Sequence, residues 1–339
     1  MAGNKEQPRV LCLRFSALGD AAIAAVVVKA CAAGNPHAHF IFAGPPLTAP
    51  LFRGVRNVSF LPVDTTQSLR TLLSVLKKTN PDYIADLHNV LRSFLLRSVF
   101  FFQGLPVAFL RKGRRARRRM LARPAASAPL RPVYVRYADT LARLGFSVPS
   151  LERAPVISLK PRPWKKAGIA PFARHRGKQW DPERMRRIAF WLAEEGTQVL
   201  LFGGGEREAA LLEEWTKDHG NISLAPGVVP SPAPAAELHQ EQFKALAALD
   251  VMISMDSANM HFASALGIPV ISVWGATHPK AGFYGYRQNP NRAVQLSLDC
   301  RPCSIYGAGK CHKGTYECLE NLTDEQVWSY IKAYEEQTD

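Results

Sequence analysis

Two acidic positions stand where an apolar run gives way to a helix, and both could do chemistry. They are Asp20 in FSALGD (Phe15–Asp20) and Asp256 in SMDSANMH (Ser254–His261). An Asp at a helix start has an ordinary use: it caps free backbone N–H groups and complements the helix dipole. If Gly19 lets a ligand approach, Asp20 has a second use, as a general base facing a cleft. In the second motif, the free N–H groups of a helix starting near Asn259 would bind a phosphate. Ser257 would add a hydroxyl and His261, in the first turn, a further donor. The ordinary reading makes Asp256 and Ser257 N-cap residues and His261 a packed surface residue.

Two more segments suit an anionic, nucleotide-like ligand. In HRGKQWDPERM (His175–Met185), Lys178 comes just before Trp180 and the helix-opening Asp181-Pro182. Such a Lys can act as a point charge for phosphate, or simply be solvated. Gly203-Gly204-Gly205, followed by Glu206 and Glu208, permits close backbone approach to a nucleotide. Either carboxylate could accept from ribose hydroxyls. The spacing is not GxGxxG, and no GxxxxGK[ST] occurs, which argues against a nicotinamide site and a P-loop ATPase.

These residues need strand-to-turn-to-helix units to present them. Val10–Phe15, His39–Ala43, Val58–Pro62 and Tyr83–Leu87 read as buried strands, with helices over about Ala21–Ala33, Ser68–Lys78 and Val133–Leu144. Arg111–Pro132 reads as an exposed loop and Pro149–Pro163 as a linker. A second series follows, with strands at Gly168–Pro171, Val199–Phe202, Val251–Ser254 and Val270–Trp274, and a last helix from Thr323 as N-cap to about Glu336. The fold class is α/β, two Rossmann-like doubly wound domains facing a central cleft. Expected boundaries are 1–155, 156–322 and a C-terminal helix over 323–339.

A length of 339 residues favours two domains, and 47% hydrophobic with 21% charged residues excludes disorder as the dominant state. No stretch reaches a membrane span; the nearest, Phe94–Leu110, is broken by Arg97, Gln103, Gly104 and Pro106. The start of the chain lacks the pattern of a signal peptide. A cytosolic protein touching a membrane surface is the expectation.

The formal charge is +15, and between Leu87 and Ala138 there are twelve Lys/Arg and no Asp or Glu. That run implies an anionic partner, or else a solvated loop. It comes with no aromatic platform or nucleic-acid-binding module, so nucleic acid is disfavoured. Cys12 and Cys31 sit in apolar contexts and read as core. Cys300, Cys303, Cys311 and Cys318 can be drawn as a four-thiolate zinc site or as reduced thiols packing a loop.

FSALGD after the first strand, GKQW early in the second half, and MDSANMH followed by GIPVISVWGATHP resemble glycosyltransferase family 9, the lipopolysaccharide heptosyltransferases and their relatives. YIADLHNVLRS (Tyr83–Ser93) and the closing helix extend the likeness over essentially the whole chain. The resemblance implies a GT-B fold and an inverting, metal-independent transfer with no cofactor. The donor would be an ADP-sugar such as ADP-heptose, and the acceptor an anionic, lipid-linked glycan of the lipopolysaccharide core or lipid A type. A transferase using another nucleotide sugar, or a non-catalytic sugar-nucleotide-binding relative, is the alternative. It also implies a place in the cytoplasm, peripheral to the inner membrane. Asp20 matches the family's base and Lys178 its donor-phosphate lysine. Asp256, Ser257 and His261 match its donor loop, to which Gly19, Gly203, Gly204, Glu206, Ala258 and Asn259 add candidate donor contacts. Arg92, Arg111, Lys112, Arg114 and Arg115 become candidate acceptor contacts, since the N-terminal half binds the acceptor in this fold. The sequence departs at Ala258, where Gly is usual, and at Ala276, where Gly-Pro-Thr is common; a methyl at Ala258 narrows the backbone's approach to a diphosphate.

Overall fold

The computed structural model describes residues 7–148, 151, 153–230 and 232–333. The chain forms two compact units: Met1–Gly113 with Arg131–Ala154, and Arg114–Leu130 with Pro155–Asp339.

In the first unit the chain runs β1 (Arg9–Leu13), α1 (Leu18–Gly34), β2 (His39–Gly44), β3 (Val58–Pro62), α2 (Leu69–Lys78), β4 (Tyr83–Asp86), α3 (Leu91–Phe102) and β5 (Val107–Phe109). It then passes through α4 (Arg114–Ala122), which belongs to the second unit, and returns as α5 (Val133–Ala142). The strands pair in parallel in the order β3-β2-β1-β4-β5. Helices on both faces bury the inner strands completely, which is why RVLCL and HFIFAG carry little polar alternation. Four buried alanines, Ala21, Ala22, Ala24 and Ala25, form the inward side of α1. On the other face Leu11, Leu13, Ile41 and Ile84 pack with Leu72 and Leu76 of α2 and Leu96 and Phe100 of α3. α2 begins at Ser68, whose Oγ accepts from the Thr71 N–H at 3.1 Å.

The second unit runs β6 (Lys166–Ala170), α6 (Pro182–Glu194), β7 (Gln198–Leu201), α7 (Glu206–Trp215), β8 (Ile222–Leu224), α8 (Ala235–Ala247), β9 (Val251–Met255), α9 (Ala258–Ala265), β10 (Val270–Val273), β11 (Ala293–Val294), α10 (Glu317–Glu320) and α11 (Asp324–Ala333). Its parallel sheet has the order β11-β10-β9-β6-β7-β8. α11 starts with a reciprocal cap: Gln326 N–H donates to Thr323 Oγ1 at 3.2 Å, and Thr323 N–H to Gln326 Oε1 at 2.9 Å. The expected end of this helix near Glu336, and part of the linker, lie outside the described residues. No helix among the described residues is long and apolar enough to cross a membrane.

One expectation is overturned. The stretch Arg111–Pro132 is not all exposed loop, because α4 forms within it. Arg, Ala, Met and Leu are good helix formers, and Pro124 ends the run. Met120, 1% exposed, anchors the helix against Ala281 and Ile305. Arg117 donates to the Tyr306 hydroxyl and lies over the Phe283 ring at 5.1 Å.

In both sheets the strand order reverses beside the first strand of the unit, between β1 and β4 and between β6 and β9. Connections there leave in opposite directions, so the strand ends open a crevice. In the second unit the loops at that crevice interlock. A methyl at Gly275 would lie 2.6 Å from the Gly177 carbonyl oxygen and 2.6 Å from Leu319 Cγ, whereas one at Gly204 would meet nothing within 4 Å. Gly275→Ala is expected to cost about 1–3 kcal/mol of stability by overpacking, and Gly204→Ala well under 1 kcal/mol. Urea unfolding of the two variants beside the parent checks the contrast.

Candidate active site

Asp20 sits in the first turn of α1, one strand end from β4 at the crevice of the first unit. Its carboxylate does not cap the helix: the N-cap residue is Ala17, with no side-chain cap bond. Instead Arg14 Nη2 pairs with Asp20 Oδ2 at 2.5 Å, and the Tyr137 hydroxyl donates to Oδ1 at 3.2 Å. Arg14 is itself fixed, donating to the Leu87 carbonyl at 3.0 Å. Both carboxylate oxygens are thereby oriented, while the side chain remains about one-fifth exposed. A positioned, reachable carboxylate is what general-base work requires.

His88 shares this corner. Its Nε2 lies 3.3 Å from Ser16 Oγ, and its ring meets Phe15 edge-on at 5.9 Å. Burial, followed by the nearby Arg14 and Lys112 cations, pulls its pKa down to about 3 against a smaller opposing pull from Asp20. The imidazole is therefore neutral at physiological pH. Asp86, fully buried at the end of β4, organises the turn beneath it. Its Oδ1 accepts from the His88 and Asn89 N–H groups at 2.9 and 2.7 Å, and its Oδ2 pairs with Arg97 at 2.6 Å.

In the second unit the end of β9 presents Asp256, 3% exposed. One oxygen, Oδ2, takes Lys178 Nζ at 2.9 Å and the Thr277 hydroxyl at 2.8 Å. Three loops, following β6, β9 and β10, thus meet on a single atom. Gly307, with φ +76°, leaves room for the Lys178 stem; a Cβ there would stand 2.6 Å from Lys178 Cγ. Arg301 braces the β10 loop, donating to the carbonyls of Gly275 at 2.5 Å and Thr277 at 2.9 Å. Ser257 caps α9 without a side-chain bond, and Ala258 and Asn259 open the helix, half-buried. Its first amides and the Lys178 ammonium are suited to a diphosphate. His261 is buried on α9.

The other expected residues are placed as follows. Gly203 and Gly204 form the turn after β7, where the Gly204 N–H donates to Glu208 Oε2 at 2.8 Å and Glu206 is exposed. Arg92 donates to the carbonyls of Thr65, at 2.6 Å, and Gln67. Arg111 and Lys112 belong to the first unit, Arg114 and Arg115 to the second. Arg111 lines a cavity of about 390 Å³ with Arg136, Asp139, Ala142 and Arg143. Arg14, His88, Tyr137, Thr277 and Arg301 join these sites without having been singled out in the sequence.

The sequence leaves Cys300, Cys303, Cys311 and Cys318 open to two readings, a four-thiolate zinc site or reduced thiols packing a loop. Among the described residues no three Cys, His, Asp or Glu side chains are arranged to hold a metal. All four are free thiols. Cys303 Sγ donates to the Ala276 carbonyl at 3.8 Å, and burial pushes the Cys318 thiol up to about 11. Burial also acts to raise Cys311, but backbone N–H groups of Tyr316, Lys313, Gly314 and Thr315 outweigh it and hold that thiol below its usual value. Cys12 and Cys31 are buried, as expected.

The family model of glycosyltransferase family 9 (heptosyltransferase) matches residues 76–307. The chain belongs to this family. A lipooligosaccharide heptosyltransferase 2 of Campylobacter jejuni is 24% identical over 155 residues. That match spans 46% of this chain and 46% of the relative, so the chain aligns with about half the curated relative's length. Among solved structures, E. coli heptosyltransferase WaaC with ADP superposes with a TM-score of 0.67 at 17% identity, covering 96% of this chain and 99% of that one. A family 9 glycosyl transferase from Veillonella parvula gives a TM-score of 0.69 at 16% identity, covering 98% of each chain. The shared architecture is the GT-B fold.

His88 also makes a prediction for stability. Its folded pKa lies below that of an unfolded histidine, so the unfolded chain takes up the proton first as pH falls. The stabilisation is complete above about pH 6.5 and is lost between there and about pH 3. His88→Gln is expected to make the acid-side fall in unfolding free energy shallower by up to about 1 kcal/mol per pH unit. Denaturant titrations at pH 7, 6, 5 and 4 measure it.

Proposed function

We propose that this chain is an inverting glycosyltransferase that moves a heptose or related sugar from an ADP-sugar donor to a lipopolysaccharide core or lipid A type acceptor. The observation that carries this reading is the Lys178–Asp256–Thr277 junction at the mouth of α9. It sets a cation and helix amides at a sheet crevice, as a nucleoside diphosphate requires. Family membership and the ADP bound to the E. coli relative support the choice of nucleotide.

The chemistry follows from the side chains. An acceptor hydroxyl gives its proton to Asp20 and its oxygen attacks the anomeric carbon. The bond from that carbon to the diphosphate oxygen breaks, its electron pair leaves with the nucleoside diphosphate, and configuration inverts. Negative charge growing on the leaving group meets Lys178 and the first amides of α9, donors already in place before the reaction. No step calls for a metal. Ser257 and His261 extend the donor contacts. On this reading Gly203, Gly204, Glu206, Ala258 and Asn259 of the second unit add donor contacts, and Gly19 keeps the backbone beside Asp20 open to a ligand. Arg111, Arg114 and Arg115 suit acceptor phosphates and carboxylates, because a guanidinium binds such groups in pairs of hydrogen bonds, and Lys112 adds a point charge. Arg92, whose two Nη groups are engaged by Thr65 and Gln67, contributes charge alone. A lipid-linked acceptor implies work at the cytoplasmic face of the inner membrane.

Donor identity is tested by thermal shift with nucleoside diphosphates and their sugars. Selective stabilisation of a few degrees by ADP and ADP-heptose supports the reading. Preference for uridine or guanosine nucleotides moves the enzyme to another glycan, and silence toward all of them removes the donor site. Asp20→Asn is expected to cut turnover by at least about 10²-fold while the donor-induced shift persists. A variant turning over at the parent rate takes Asp20 out of the mechanism.

A further inference from the structure

α3 has two apolar sides, and only one is used. Leu96 and Phe100 face the core. Leu91, Phe94, Leu95, Phe101 and Phe102 face outward, and their spacing along the chain puts Leu91, Phe94, Leu95 and Phe102 on one helical stripe. Leu91 is 75% exposed, Phe101 62% and Phe102 86%. Single exposed apolar residues are common on soluble proteins, but a run of five on one twelve-residue helix is an interaction surface.

The stripe continues onto β5. The Arg97 guanidinium lies over the Phe94 ring at 5.2 Å and the Phe109 ring at 4.1 Å, joining the two aromatics. Asp86 neutralises Arg97 from below. Beyond Phe109 the surface turns cationic. Arg143 Nη2 donates to the Phe109 carbonyl at 2.6 Å, and Arg143 shares its cavity with Arg111 and Arg136. The one carboxylate there, Asp139, accepts two bonds from Arg131 at 2.7 and 3.0 Å.

We propose that the outward face of α3, with Phe109 and the Arg111–Arg143 rim, is the surface that docks this protein on a bilayer containing anionic phospholipid. An amphipathic helix lying in the headgroup layer buries Leu and Phe side chains among acyl chains, while flanking arginines meet lipid phosphates. The charge pattern selects this occupant. Among the residues of this face Asp139 is the one carboxylate and Arg131 already engages it, so two copies meeting here would set arginine against arginine. A bilayer supplies anion and hydrocarbon together. The inference deepens the lipid-surface part of the proposed function by assigning it a face, and it rests on that reading for its biological setting.

The test is sedimentation of the full-length protein with phosphatidylethanolamine vesicles, with and without phosphatidylglycerol. The parent protein is expected to bind the phosphatidylglycerol vesicles, with binding weakened but not abolished by salt. Leu95→Glu with Phe102→Glu is expected to lower partitioning by at least about tenfold, and the milder Leu95→Ser with Phe102→Ser by less. Both positions are exposed, so melting temperature and the donor-induced thermal shift stay at parent values. That shift separates this claim from the nucleotide-sugar reading: it is lost if the donor site fails and unmoved if only the docking face does. Parent protein that ignores phosphatidylglycerol vesicles, or variants that bind them equally well, overturns the proposal. So does a parent dimer that the variants split, which would assign the face to a second copy.

Discussion

A single oxygen atom, Asp256 Oδ2, ties together the loops at the crevice of the second unit. It lies at the end of a strand with all five residues buried, where an unpaired carboxylate would be strongly destabilising. Lys178 and Thr277 satisfy it from the loops of the two neighbouring strands, β6 and β10. The positions of both loops are consequences of that requirement. Gly177 and Gly275 permit the backbone contact it imposes, with the Ala276 N–H donating to the Gly177 carbonyl at 2.7 Å. Arg301 then gathers the carbonyls left over on the β10 loop. The ammonium that suits a diphosphate is therefore held in place before any ligand arrives.

The first unit meets the same need differently. Asp86, at the end of β4, is fully buried like its counterpart, but backbone amides and Arg97 satisfy it within the turn. It serves the fold. Asp20, one strand across, is the partly exposed carboxylate, with Arg14 on one of its oxygens and Tyr137 on the other. The crevice thus holds two aspartates of unequal burial, one closed into the turn and one within reach of solvent. The neutral His88 is lodged where added positive charge would meet Arg14 and Lys112.

Much of this was legible in the sequence. Apolar runs entering turns located β1, β9 and β10 and picked out Asp20 and Asp256, while Lys178 stood out just before Trp180 and the helix-opening Asp181-Pro182. What escaped was whatever depends on partners far along the chain. Tyr137 reaches Asp20 across 117 residues, and nothing local to either residue announces the bond. α3 was hidden because Leu91–Phe102 is apolar on two sides, which erases the one-faced periodicity of a surface helix. α4 was hidden because its arginines read as loop polarity, although Met120 is the residue that decides its fate. The cysteine cluster looked like ligand spacing, yet Arg301 is the structural centre of that arm.

The charge run from Leu87 to Ala138 shows how far a count can stand from a field. Arg97 is spent on Asp86, Arg131 on Asp139, and Arg117 on Phe283 and Tyr306. Arg136 donates to the Lys112 carbonyl at 2.9 Å. Arg111 remains exposed in the first unit, and Arg114, Arg115, Arg118 and Arg119 on α4 in the second. The outward charge is thus smaller than the sequence total and divided between two bodies. Surface fields fade over roughly 10 Å at moderate salt, so what each arginine acts on is set by its immediate neighbours. For Arg111 that neighbourhood is Arg143, Phe109 and the apolar face of α3. For α4 it is the loop after β10, which carries Thr277 and so connects with Asp256. One basic segment in the sequence therefore serves two surfaces in the fold.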